Sequence, residues 1–240
     1  RDHATLLVTG PKSPAIIAAA TGLSTAPADF PWLSHQSCQI AGCRVTAIRV
    51  SFAGEAGWEI HCDMADVVAV YDAIMAAGAP HKLGHFGMLA LDSMRLEKGY
   101  RSWKSDLTSD YTMLESGLGR WVKFDKADFV GRAALQAEHQ AGSQRQFVTL
   151  TLDDPADDNA DPFGEAVYLS VVQCDGVDAG LVVSSGYGHR VGKSIAMAVV
   201  DQDKLASAGQ ITVTVLGRQR VAHLVPAHVL YDPTNEKLRG

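Results

Sequence analysis

The chain has 240 residues, of which 47% are hydrophobic and 20% are charged, a composition typical of a soluble globular protein. Its net charge of −6 argues against a broad nucleic-acid surface, because neutralising phosphates requires a cationic face. The longest apolar runs, such as residues 195–200, are too short to span a bilayer, so we expect no membrane segment.

The four cysteines form neither a CxxC pair nor a dense framework. A chain of this length needs no disulfide staples, so we expect free thiols, a reducing compartment and a cytoplasmic location. Position 1 is Arg rather than Met, and no signal segment opens the chain. We therefore expect a processed or excised piece of a longer protein.

In chain order, the first half mixes strands and helices. The predicted elements are a strand at 4–9, a helix capped by Ser13, a strand at 44–51, a turn at 53–57, a strand at 58–62 and helices at 64–77 and 86–98. The last helix is apolar nearly all round, so we expect it to be mostly buried. Asp92 and Arg95 stand three residues apart on it, which favours a structural ion pair.

The second half changes character from residue 145 onward. Short apolar runs punctuated by Gly or Asp predict strands at 146–152, 166–173, 180–184, 194–200, 211–216 and 220–225. Strands at this spacing indicate a small antiparallel barrel or sandwich, and we place the domain boundary near Gly142. The acidic segment 153–165 lacks the spacing of a calcium loop, so we expect a solvated loop.

Two motifs suggest ligand binding but lack what it requires. Gly192, Lys193 and Ser194 resemble the end of a phosphate-binding loop, but Tyr187 stands where the loop needs Gly, which favours a barrel turn. His81 and His85 have zinc-hydrolase spacing without the intervening Glu, so we expect no metal site.

The 53–57 turn delivers Trp58 and Glu59 to the start of a strand, where neighbouring side chains point to opposite faces. A carboxylate in an apolar cleft can bind the edge of a planar, amidine-like heterocycle through paired hydrogen bonds. Taken alone, the pattern favours a Glu59 that simply faces solvent on a half-buried strand.

Four motifs in order, spanning residues 54–132, carry a family resemblance. They are GEAGWE at 54–59, ALDSMRLEKGYRSW at 90–103, TMLESGLG at 112–119 and DFVGR at 128–132. Together they resemble the tetrahydrofolate-binding aminomethyltransferase family, the glycine cleavage T-protein and its relatives. The segments 185–196 and 230–235 are similar to the rear part of dimethylglycine and sarcosine dehydrogenases.

This resemblance implies an α+β fold, with a T-protein-like folate-binding domain at 1–142, its N-terminal part missing, and a small antiparallel β-barrel at 143–240. It implies that Glu59 holds the pterin ring of tetrahydrofolate. The other cofactor-binding residues that we predict are Phe52, Gly54, Trp58, Arg101 and Trp103. Phe52 replaces a Tyr often seen near the folate, and Leu91 stands where glycine-cleavage T-proteins carry an Arg.

The implied function is a one-carbon transfer module of an FAD-dependent N-methyl amine dehydrogenase, which captures the one-carbon unit as methylenetetrahydrofolate. No dinucleotide turn is found, so FAD is expected on a missing domain or partner subunit. The family's catalytic Asp falls in the missing part, so no catalytic residue is assigned. The alternatives are a stand-alone folate-dependent aminomethyl- or methyltransferase and a non-catalytic folate-binding or assembly domain.

Overall fold

The computed structural model describes residues 2–153 and 164–239. Most of the acidic segment 153–165, expected to be a solvated loop, lies outside these residues. The chain divides into two compact units, Arg1–Met94 with Asp232–Gly240, and Arg95–Tyr231. The Gly142 boundary expected from the sequence stays a prediction.

The first unit is built on a four-stranded antiparallel sheet with strand order β1-β4-β3-β2. Its strands are β1 (His3–Thr9), β2 (His35–Ile40), β3 (Cys43–Ile48) and β4 (Gly57–Asp63). The predicted hairpin is confirmed, since β3 pairs antiparallel with β4. The strand β2 was not expected from the sequence.

Two helices cover one face of this sheet: α1 (Ser13–Thr21), and α2 (Val67–Gly78), which follows a 3-10 turn at Met64–Asp66. Ile17 of α1 and Val70 of α2 pack with Trp58 and Ile60 of β4 in a single core. The expected N-cap role of Ser13 is wrong. Its hydroxyl oxygen lies 2.7 Å from the Gly10 carbonyl oxygen and 2.8 Å from the Ala56 carbonyl oxygen, so its one hydrogen is directed at these two acceptors.

The helix α3 (Met88–Glu97) was expected to be mostly buried, and this is wrong for its first turn. Met88 is 72% exposed and Leu89 is 88% exposed. The end of the helix is buried, because Leu96 packs into an apolar cluster with Phe147 and Ile195. Whether a turn of α3 is buried therefore depends on whether it packs against the barrel strands. The mean hydropathy of the helix does not predict this.

The second unit contains a closed antiparallel barrel of strand order β10-β5-β8-β7-β6-β9, which confirms the predicted barrel. Its strands are β5 (Arg145–Leu152), β6 (Val171–Cys174), β7 (Val177–Gly188), β8 (Lys193–Asp201), β9 (Ile211–Val215) and β10 (Arg218–Leu224). The strand expected at 166–173 begins only at Val171. Lys193 and Ser194 are the first two residues of β8. The motif around Gly192 therefore lies at the turn between β7 and β8, as expected, and no helix follows it.

The remaining α-helices in the described residues are α4 (Arg132–Ala141), α5 (Gln202–Ser207) and α6 (Glu236–Arg239). None of the three was predicted. The helix α4 has no buried residue.

Candidate functional site

The connection between β3 and β4 shapes the start of the strand that carries Glu59. Gly54 has a φ of +77°, in the left-handed region that glycine adopts without strain. The Ser51 hydroxyl accepts a hydrogen bond from the Ala53 amide at 3.2 Å and lies 3.2 Å from Thr9 Oγ1. Phe52 lies half-buried in this turn, one residue beyond Ser51. The turn is thus fixed to β1.

Trp58 is a core residue with 0% exposure. Its ring meets Phe30 edge to face, with centroids 6.1 Å apart, and the Arg49 guanidinium lies 5.3 Å from its centroid. Among the described residues, the indole Nε1 has no hydrogen-bond partner. These contacts anchor the strand beside Glu59, and the binding contact expected of Trp58 stays a prediction.

Glu59 points to the other face of β4, as the strand alternation predicted. Its side chain is 41% exposed and lies in register between Leu7 of β1 and Ile48 of β3. Residues directly opposite one another on neighbouring strands share a face, so two half-buried aliphatic side chains flank the carboxylate. The arrangement leaves the carboxylate accessible beside apolar surface.

A histidine that the sequence reasoning missed orients this carboxylate. His61 Nε2 lies 3.1 Å from Glu59 Oε2, and its Nδ1 lies 3.1 Å from Thr5 Oγ1. The signal was present in the sequence, because residues two apart on a strand share a face. A depression of about 560 Å³ opens beside His61 and is lined in part by His3, Arg44 and Asp63.

Arg101 belongs to the second unit and stacks on Phe147 of β5, with its guanidinium carbon 4.1 Å from the ring centroid. Gly117 has no Cβ to obstruct it, since an added Cβ would lie 2.6 Å from Arg101 Nη2. Burial lowers the pKa of Arg101, with Asp106 opposing this effect and Arg120 adding to it. An arginine side chain is effectively always protonated in proteins, so Arg101 carries a positive charge.

Trp103 lies on the short loop that follows and is 76% exposed. The loop closes through a hydrogen bond from the Lys104 amide to the Leu107 carbonyl at 3.1 Å. An exposed ring on a closed loop is available for stacking on a planar ligand.

Arg95 is held by a carboxylate that the sequence did not indicate. Its Nη1 donates to Asp106 Oδ2 at 2.8 Å, and both side chains are at most 5% exposed. Asp106 also accepts hydrogen bonds from the Ser102 amide at 2.7 Å and from the Ser184 hydroxyl. This buried network anchors the loop that carries Arg101 and Trp103.

The predicted site residues therefore fall into two groups. Phe52, Gly54, Trp58 and Glu59 lie together at the β3–β4 connection of the first unit, and Arg101 and Trp103 lie on one loop of the second. The contacts given above for each group lie within its own unit.

The remaining expectations concern metals, membranes and thiols. Among residues 2–153 and 164–239, no three His, Cys, Asp or Glu side chains come together to hold a metal ion. His85 instead lies 2.6 Å from the Tyr71 hydroxyl. No described helix has the length and hydropathy to cross a membrane. All four cysteines are free.

Two family models match the chain. Residues 1–126 match the GCVT N-terminal domain, and residues 145–232 match the glycine cleavage T-protein C-terminal barrel domain. Human mitochondrial dimethylglycine dehydrogenase is 35% identical over 97% of this chain. An aminomethyltransferase from Saccharopolyspora erythraea is 33% identical over 90% of it. Both of these relatives are enzymes.

This chain covers only part of each relative, 26% of the dehydrogenase and 57% of the aminomethyltransferase. A crystal structure of the glycine cleavage system aminomethyltransferase T from Bartonella henselae superposes with a TM-score of 0.78 over 95% of this chain and 60% of that one. At 22% identity, this likeness shows the fold alone.

Proposed function

Because the chain belongs to the glycine cleavage T-protein family, we propose that it is the tetrahydrofolate-dependent one-carbon transfer module of an FAD-dependent N-methyl amine dehydrogenase. The substrate class would be dimethylglycine or sarcosine, and the product methylenetetrahydrofolate. The observation that carries the proposal is the Glu59 carboxylate, half-exposed between two aliphatic side chains and aligned by His61.

Glu59 would bind the pterin ring of the folate. The pterin edge presents adjacent N–H donors, and a carboxylate can accept two parallel hydrogen bonds from such an edge. Leu7 and Ile48 flank it, so bound ligand would exclude water from these bonds and strengthen them. Phe52 and Gly54 would border the ligand from the preceding turn. Arg101, Trp103 and Trp58 complete the proposed set of cofactor-binding residues.

The chemistry proposed has two steps. A flavin on another domain or on a partner subunit takes a hydride from the N-methyl group and leaves an iminium. A folate nitrogen then attacks that carbon, and the demethylated amine departs as methylenetetrahydrofolate forms. The module would raise the effective concentration of folate at the iminium and exclude the water that would release formaldehyde. We assign the role of general base to no residue of this chain.

The aminomethyltransferase relative supports a second candidate, a stand-alone folate-dependent aminomethyl- or methyltransferase. The two candidates differ in their electron balance. The dehydrogenase module needs a flavin to oxidise the amine, whereas a transferase moves the carbon without net oxidation. A transfer of an intact methyl group would give methyltetrahydrofolate.

Product analysis of the full-length protein tests the proposal. With N,N-dimethylglycine or sarcosine, tetrahydrofolate and an electron acceptor, we expect methylenetetrahydrofolate to accumulate in step with amine oxidation. Omitting tetrahydrofolate should convert the same flux to formaldehyde. Formation of methyltetrahydrofolate without acceptor reduction would favour the transferase. Formaldehyde release that tetrahydrofolate does not diminish would contradict both.

A further inference from the structure

Within residues 2–153 and 164–239, no carboxylate forms a salt bridge with Arg101. Its Nε atom is buried and has no hydrogen-bond partner among the described residues. The carboxylate that acts on it electrostatically is Asp106, which already accepts hydrogen bonds from Arg95, Ser102 and Ser184. Phe147 supports the flat side of the guanidinium, so this contact does not satisfy the Nε hydrogen.

His228 lies against the same ring. Its imidazole meets Phe147 edge to face, with centroids 6.2 Å apart, and its buried Nδ1 has no hydrogen-bond partner among the described residues. Burial and the charge of Arg101 both lower the pKa of His228. Phe147 therefore packs against two basic side chains. Each of them has a buried nitrogen without a hydrogen-bond partner among the described residues.

The backbone that positions His228 is strained. Ala227 and His228 have φ values of +53° and +63°, a region that residues with a Cβ rarely occupy. The segment is held against the end of α3, where the Leu230 and Tyr231 amides donate to the Glu97 carbonyl at 3.0 and 2.9 Å. Local strain that the surroundings maintain is commonest at binding and catalytic sites.

Electrostatics around the pair is positive. Arg120 lies close enough to lower the pKa of Arg101, and its guanidinium stacks over Trp121 at 5.0 Å. A buried charge is expensive unless it is paired. In a protein of net charge −6, this concentration of basic groups is the arrangement that an anionic ligand would complete.

We propose that Arg101 and His228 form a carboxylate-binding site on Phe147. The planar guanidinium matches a carboxylate, which can accept two parallel hydrogen bonds from it. His228 would add a third through its Nδ1–H. The identity of the ligand rests on the proposed function, which offers two sources of a carboxylate: the glutamate of the folate, or the amino-acid substrate or product.

Replacing Arg101 with Met tests the site while keeping an unbranched side chain to cover Phe147. In the full-length protein, binding of tetrahydrofolate, of tetrahydropteroate, which lacks the glutamate, and of sarcosine would be measured by calorimetry. If the folate supplies the carboxylate, Arg101→Met weakens tetrahydrofolate binding about ten- to hundredfold and leaves tetrahydropteroate unchanged. If the amino acid supplies it, only sarcosine binding weakens by this factor.

The exposed Arg218 provides a control of the same charge change, and Arg218→Met should alter none of the three affinities. The His228→Phe variant should weaken the same ligand as Arg101→Met, by a smaller factor. If all three affinities are unchanged in Arg101→Met, the proposed site is refuted. Glu59→Gln separates the two proposals, because it should weaken both folates equally whatever Arg101 does.

Stability measurements distinguish a ligand site from a structural cation–π contact. A purely structural Arg101 would make Arg101→Met less stable than the unaltered protein. An unpaired, largely buried cation predicts the opposite, a melting temperature that stays equal or rises when the charge is removed. A lowered melting temperature together with unchanged affinities would contradict the proposal on both measurements.

Discussion

Glu59 and His61 lie two residues apart on β4, and their side chains meet on the sheet face that α1 and α2 leave uncovered, with Oε2 and Nε2 3.1 Å apart. Thr5 on β1 holds the other ring nitrogen of His61 at 3.1 Å. The carboxylate therefore projects from the strand in a direction that two neighbouring side chains determine. Because the carboxylate is already oriented, less side-chain conformational entropy is lost when a ligand binds.

Removing His61 should weaken folate binding without abolishing it. In His61→Ala, Glu59 keeps its charge but regains rotational freedom, at about 0.5–1.5 kcal/mol for an immobilised side chain. We expect the dissociation constant of tetrahydrofolate to rise about 2- to 12-fold, measured by calorimetry on the full-length protein. His3→Ala is the matched control, because His3 pairs with Asp63 at 3.1 Å on the same sheet. Equal effects of both variants would show that His61 does not orient Glu59.

The Arg95–Asp106 pair should be a major determinant of stability. Both side chains are buried, so Arg95→Met leaves an uncompensated carboxylate and should lower the free energy of unfolding by about 3–5 kcal/mol. Urea denaturation measures this directly. The double variant Arg95→Met with Asp106→Leu removes both charges and should recover part of the loss. A double variant no more stable than Arg95→Met would contradict this account.

Gly99 permits a close approach between backbones. Its φ is +73°, and an added Cβ would lie 2.1 Å from the His228 carbonyl oxygen. Gly176 has a similar φ of +78°, with nothing within 4 Å of its added Cβ. Gly99→Ala and Gly176→Ala therefore share the conformational strain of about 1–2 kcal/mol, and only the first adds a clash. Thermal melts should show Gly99→Ala to be clearly the less stable, and equal losses would refute the close approach.

His228 should make the protein less stable in acid. Its pKa is lowered in the folded state by burial and by Arg101, so below about pH 6.5 the unfolded chain takes up a proton that the folded chain does not. Stability must then fall as the pH falls through this window, by at most about 1.4 kcal/mol per pH unit for one group. Comparing unfolding free energies of the parent and His228→Gln at pH 7.5 and 5.5 isolates the contribution. A steeper loss in the variant would contradict the sign.

Local pattern predicted much of this fold. Short apolar runs punctuated by Gly or Asp placed the barrel strands, and the period-two rule put Trp58 and Glu59 on opposite faces of β4, as observed. The resemblance identified the family correctly. What local pattern could not supply was contact between distant segments. The partner of Arg95 lies eleven residues away in a loop, and Phe147, which unites Arg101 with His228, belongs to a barrel strand.

The exposed first turn of α3 illustrates the same limit. Met88 and Leu89 have the hydropathy of core residues, but hydropathy does not specify which neighbour, if any, covers them. The unsatisfied nitrogens of Arg101 and His228 were equally unpredictable, because a sequence does not show which hydrogen bonds are missing.

Titration of tetrahydrofolate into the full-length protein and its Glu59→Gln variant tests the central claim most directly. Glutamine keeps the size of the side chain but loses the charge and one acceptor, so the dissociation constant should rise about ten- to hundredfold. Asp63→Asn, a carboxylate change at the end of the same strand, should leave it unchanged. An affinity for tetrahydrofolate that Glu59→Gln does not alter would contradict the assignment of Glu59 as the folate-binding carboxylate.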